Sequence, residues 1–194
     1  MKKALLIVVG VLVAVGVMFA GSYNELVQLE ENVSSAWAQV ESVYQRRSDL
    51  IPNLVETVKG YAAHESSTLE AVVQARANAT SVRLPASAVS DPAQFAKFQE
   101  SQTALSGALG RLLAVAENYP DLKANQNFLE LQAQLEGTEN RITVERMRFN
   151  QAAQLFNTKL RQFPTNILGG MFGFKTKEYF KADAAAQAAP KVKF

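Results

Sequence analysis

Between residues 122 and 163, apolar side chains return at every seventh position: Phe128, Leu135, Ile142, Phe149, Phe156 and Phe163. Leu131, Thr138, Ala152 and Leu160 supply most of the three- and four-residue partners between them. That spacing holds one stripe on one side of a helix, so the run predicts a long helix from Leu122 to Phe163 that packs on other long helices, as in a coiled coil. At about 1.5 Å per residue it would be roughly 60 Å long. Such a rod cannot hide its stripe alone, and the rest of the chain must cover it.

The same period runs from Tyr23 onward, through Leu26, Val33, Val40, Arg47, Leu54 and Tyr61, with Leu29, Ala36, Val43 and Leu50 between them. The register survives Pro52, which argues for a kinked helix, or for a fresh start capped by Ser48 or Asp49. Gly60 marks a stop, and a shorter helix spans Ser66 to Val82. Residues 83–91, with Pro85, Ser87 and Ser90, read as a loop. Asp91 then caps a helix with Pro92 in its first position, which carries Phe95, Phe98, Leu105, Leu109 and Leu112 and ends at Tyr119-Pro120.

Ahead of these helices, residues 4–22 are uncharged and mostly apolar, close to the roughly twenty residues that cross a bilayer. Ala20-Gly21-Ser22 also offers small residues to a signal peptidase, so a cleaved leader is the alternative to a retained anchor. Lys2 and Lys3 precede the run, whereas Glu25, Glu30 and Glu31 follow it. The positive-inside rule then leaves the N-terminus in the cytoplasm and exports everything after Tyr23.

The expected fold is all-α: a transmembrane anchor over 1–22, then an up-and-down four-helix bundle over 23–164 with long first and last helices. Residues 165–194 form a third region. Phe172, Phe174, Tyr179 and Phe180, interleaved with glycines and lysines, suit a membrane interface, and the Ala- and Lys-rich end reads as a disordered tail.

Charge enters where it interrupts the stripes. Arg47, beside Arg46, takes an apolar slot in the first long helix, and Glu145 does so in the last, near Glu139, Asn140 and Arg141. If the two helices run antiparallel, Arg46 or Arg47 meets Glu136 or Glu139 in a polar layer that sets register more than it adds stability. Twenty basic against eighteen acidic residues leave a net charge of +2, too balanced to argue for nucleic acid. There is no cysteine, His64 is the single histidine, and no phosphate-binding glycine loop, nucleophile elbow or His pair at ligand spacing occurs. No cofactor or metal is expected, and an enzyme is disfavoured.

Several runs carry a family resemblance: Tyr23-Asn24-Glu25-Leu26-Val27, Ala36-Trp37, the stretch from Arg46 to Tyr61, His64-Glu65, Tyr119 to Asn125, Thr138 to Ile142, Phe149-Asn150 and Phe163-Pro164. In these the sequence resembles the LemA family of bacterial membrane-anchored proteins, over nearly its whole length. The resemblance implies a single-pass anchor and a soluble helical bundle, and it brings no catalytic residues. The function expected is a membrane-anchored, non-enzymatic scaffold or adaptor that associates with itself and with envelope proteins not named by the sequence. Membrane shaping by oligomers is the alternative, and a ligand carrier or enzyme using the Arg47/Glu139 layer is a third reading.

Overall fold

The computed structural model describes residues 1–181. The expected disordered tail therefore lies, beyond Lys181, outside the described residues. Those described are all-helical, with no strand among them. Six α-helices follow in order: α1 Lys2–Lys59, α2 Ser66–Ser81, α3 Pro92–Ala116, α4 Pro120–Lys123, α5 Gln126–Arg161 and α6 Thr165–Phe172, with a 3-10 turn at Ala86–Ala88.

The apolar stretch expected as an anchor and the first long helix after it are one element. α1 runs unbroken through Pro52 for 58 residues, about 87 Å of helix. Pro52 supplies no N–H to the Ser48 carbonyl one turn back, and Arg76 Nε of α2 donates to that carbonyl at 2.8 Å in its place. The N-terminal part of α1 is long and apolar enough to cross a membrane, and no part of its most apolar window is buried. Burial begins at Leu26, which has no exposed surface.

The last long helix starts later than the periodicity suggests. Tyr119-Pro120 opens the single turn of α4, and the side chain of Asn125 then accepts the N–H of Phe128 to cap α5. An N-cap residue is non-helical by construction, so the apolar spacing carries across a break that it cannot reveal. At the head of α3, by contrast, Asp91 accepts from Ala93 and Gln94 at 2.9 and 3.1 Å, as its sequence indicates.

α1 packs chiefly on α5, and α2 on α3. Glu25 pairs with Lys159 and Arg47 with Glu139, so α5 runs antiparallel to α1. Two apolar clusters form the core. One gathers Leu26, Trp37, Val40, Phe95, Phe149 and Phe156 near the apolar end, and the other gathers Ile51, Val58, Leu105, Leu112, Leu122 and Leu135 beyond it. Arg47, Gln102 and Thr138, all buried, fall between them on their three helices.

Candidate functional site

Two polar constructions stand out of this apolar frame. The first is centred on Arg47, 1 % exposed. Its guanidinium donates to Glu139 Oε1 at 2.9 Å, to Ser106 Oγ at 2.7 Å and to Gln102 Oε1 at 2.6 Å, and it lies over the Tyr44 ring at 5.1 Å. Gln102 passes the network on by donating to the Ala79 carbonyl of α2 at 3.3 Å. One side chain thus ties α1, α3 and α5 directly and α2 through an amide. A cleft of about 210 Å³ opens beside it, with Gln99, Thr103 and Arg146 on its walls.

The layer is narrower on α5 than the sequence suggests, and wider on α3. Arg46, Asn140 and Arg141 are exposed and take no part, because each is turned about 100° or 200° from its seam neighbour on a helix. Glu145 is half-buried but pairs with Arg148 one turn along the same helix, at 2.8 Å. Gln102 and Ser106 complete the layer instead. Gln102 occupies a seam slot between Phe98 and Leu105, the same polar-for-apolar exchange that marks Arg47.

The second construction is a C-terminal strap, residues 174–181, which lies along the bundle. Asn157 Oδ1 accepts from the Lys177 N–H at 2.8 Å while its Nδ2 donates to the Lys177 carbonyl at 2.9 Å. Asn150 treats Phe180 identically, at 2.9 and 3.0 Å. Gln99 and Arg146 both donate to the Lys181 carbonyl. The Lys177 ammonium is buried, 2.6 Å from Glu30 and 4.9 Å from the centre of the Phe156 ring.

This placement corrects the interfacial reading of the segment. Phe180 is 6 % exposed and fills an aromatic box, 5.0 Å from Phe95, 5.6 Å from Phe149 and 6.0 Å from Trp37. Tyr179 accepts from Asn157, and Phe174 is half-buried against Phe156. From Glu30 to Trp37 the strap climbs α1 away from the apolar stretch. Of the four aromatics Phe172, on α6, and Tyr179 are exposed, at 58 and 38 %, and Phe172 meets Tyr23 at 4.9 Å just after that stretch. A run rich in aromatics and lysines has the composition of an interfacial segment, but here a complementary groove takes up the rings. The groove had one signal in the sequence: Phe149-Asn150 and Phe156-Asn157 repeat a Phe-Asn pair at the seam period.

Elsewhere the electrostatics are mild. Partial burial lifts the Glu41 carboxyl above its usual range, offset by the nearby Trp37 indole. The phenol of Tyr119 is raised by its hydrogen bond to Glu65. Among the described residues no group of three or more His, Asp or Glu side chains could hold a metal ion. His64 is exposed.

A family model described as the LemA family matches residues 36–194, which include both the Arg47 layer and the strap. The chain belongs to the LemA family. This LemA-family chain is similar to magnetosome protein MamQ 2 of Paramagnetospirillum magneticum, 27 % identical over 179 residues that cover 84 % of the chain and 66 % of the relative. It is similar also to magnetosome protein MamQ of Magnetospirillum gryphiswaldense, 27 % identical over 174 residues, with 81 % and 64 % covered. Protein LemA of Metamycoplasma hominis is 23 % identical over 165 residues, with 85 % of the LemA-family chain and 71 % of the relative covered. The chain spans about two thirds of the length of the MamQ proteins that it matches. None of these names is that of an enzyme.

Proposed function

We propose that the LemA-family chain is a membrane-anchored scaffold that acts through protein–protein contacts, with itself and with envelope proteins, at the outer face of the cytoplasmic membrane. The observation that carries the reading is the continuity of α1. An unburied apolar stretch and the central helix of the bundle are one rigid element, so the bundle is held upright on its tether with no flexible linker between. The antiparallel course of α1 and α5 supports an up-and-down order, in which the bundle is a stiff post. Relatives named after a cellular body, the magnetosome, rather than after a reaction support the non-enzymatic part. Lys2 and Lys3 ahead of the span support a cytoplasmic N-terminus.

Lysine-directed crosslinking of the full chain in native membranes tests the reading. Self-adducts and recurrent envelope partners are expected. A chain recovered only as an uncrosslinked monomer overturns it, and an active cytoplasmic reporter fused to the C-terminus overturns the topology.

A second reading, membrane shaping, is favoured by α6. Ile167, Met171 and Phe172 are exposed there at 45, 72 and 58 %, beside Tyr23 at the end of the apolar stretch. Such a patch suits the bilayer interface. The full chain reconstituted into liposomes would then deform them, and Met171→Ser with Phe172→Ser would abolish the deformation; smooth vesicles with the wild-type chain dismiss it.

A further inference from the structure

The strap is gripped by its backbone in a matched register. Asn150 and Asn157 stand seven residues apart on α5, about 10.5 Å along a helix. The residues they hold, Phe180 and Lys177, are three apart, about 10 Å in extended chain. Because the two lengths agree, each asparagine makes both hydrogen bonds that an adjacent strand would make, one to an N–H and one to a carbonyl. Backbone recognition of this kind gives affinity, and side-chain pockets add selectivity. Here the selectivity comes from the box that receives Phe180 and from Glu30, which receives the Lys177 ammonium. The groove therefore fits an extended Lys-x-x-Phe segment.

What joins the strap to the bundle is slight. α6 buries Thr165, Leu168 and Gly169, and a Cβ at Gly169 would collide with the Leu160 side chain. Gly173 then turns the chain with φ of 76°, a conformation that favours glycine. Swinging the strap outward releases the contacts of the strap itself, which a second groove can restore, and beyond them asks that this short helix lift and that one glycine turn.

We propose that the groove also binds the strap of a second copy, so that chains in one membrane associate by exchanging residues 174–181. The proposal deepens, and rests on, the self-associating part of the function proposed above. A second copy is the one ligand whose fit is already displayed, contact for contact, by the intramolecular strap. Exchange restores the contacts of the strap in the partner groove and alters only the hinge and the packing of α6, which makes it a low-cost route to dimers. Chains tethered in one bilayer also meet at high effective concentration, which offsets the entropy of association.

The absence of cysteine makes the exchange directly readable. Gln99 Nε2 and the Lys181 carbonyl are 3.0 Å apart, so a Gln99→Cys chain and a differently tagged Lys181→Cys chain, both full length, are reconstituted together in liposomes and treated with a short bismaleimide. A mixed dimer is expected, several-fold above the collision background set by pairing Lys181→Cys with Val73→Cys, an exposed position on α2. A peptide of residues 174–181 should suppress it several-fold, and the same peptide with Phe180→Ala should not. A yield at background overturns exchange. Counting photobleaching steps of chains labelled through an N-terminal tag separates the two failures: several steps with background crosslinking overturn exchange alone, and single steps overturn self-association as well.

Discussion

Arg47 and Glu139, 92 positions apart in the chain, meet at 2.9 Å in the gap between the two apolar clusters of the core. Arg47 is 1 % exposed and Glu139 39 %, so the pair has one dry end and one wet end. Apolar seams with a seven-residue period can slide by one period and still bury apolar atoms. A single polar layer cannot slide without stranding its charge, and so it names one register. The register of α1 against α5 fixes which surfaces of the two helices stand at which height along them.

Removing one charge of that layer should cost far more than removing the whole layer. Glu139→Met leaves the Arg47 guanidinium, 1 % exposed, without its counter-charge and should cost about 3 kcal/mol or more. Arg47→Met combined with Glu139→Met and Gln102→Leu removes both charges and the buried amide that Arg47 satisfies, and should come back to within about 1–2 kcal/mol of the wild type. Urea unfolding of the full chain in micelles measures both. A triple variant no better than Glu139→Met would mean that the layer does more than fix register.

The single tryptophan gives a second readout. Trp37 donates its indole N–H to the Leu84 carbonyl at 2.8 Å and lies face to face with Phe180, 6.0 Å away. Trp37→Phe should cost about 1–3 kcal/mol, for a buried carbonyl left without a donor. Phe180→Ala should instead shift the tryptophan emission to the red, because the strap that shields the indole is no longer anchored. Unchanged emission would mean that the strap stays seated without its aromatic anchor.

Much of this was legible because helix packing writes itself at a fixed period. Leu26, Val33, Val40 and Leu54 are buried as their spacing requires, and so are Phe128, Leu135, Ile142, Phe149 and Phe156, whereas Tyr61 and Phe163, which end the two series beyond the last turn of α1 and α5, are exposed. The charge in the first series, Arg47, is buried. What the period could not show was the break at Asn125, since a cap interrupts hydrogen bonds without disturbing the apolar spacing. Nor could it show the partners drawn from α3, because a heptad states that a face is covered and not by which residue. Composition does not reveal the strap for a chemical reason: aromatic and lysine side chains serve a membrane interface or a groove equally well, and the choice lies in two asparagines on another element.

Acid should loosen the start of α3. The Asp91 carboxyl is held below its usual range by hydrogen bonds from the Gln94 side chain and from the Gln94 and Ala93 backbone N–H groups. A depressed carboxyl favours the folded state above its unfolded value of about 3.9, and that contribution fades as the pH falls through the lower, folded value. Asp91→Asn keeps a capping oxygen and removes the titration. Between about pH 4 and pH 2 the wild type should therefore lose more melting temperature than Asp91→Asn does. Parallel curves for the two would show that Asp91 is not coupled to folding.

The strap offers the sharpest discrimination, through a substitution that preserves shape. Asn157 is 7 % exposed, and its amide both accepts from and donates to Lys177. Asn157→Ala strands a buried N–H and a buried carbonyl, at about 1–3 kcal/mol for each group, so the amide of Lys177 should exchange with deuterium at least about tenfold faster. Phe180, still held by Asn150, should change less. Asn157→Asp keeps the volume and the acceptor but turns a second oxygen toward the Lys177 carbonyl. At neutral pH it should do no better than alanine. Acidification would protonate that carboxyl, return a donor and slow exchange again, because the folded state prefers the protonated form and raises its pKa. If the strap were held by Phe180 alone, alanine, aspartate and the wild type would protect Lys177 equally at every pH.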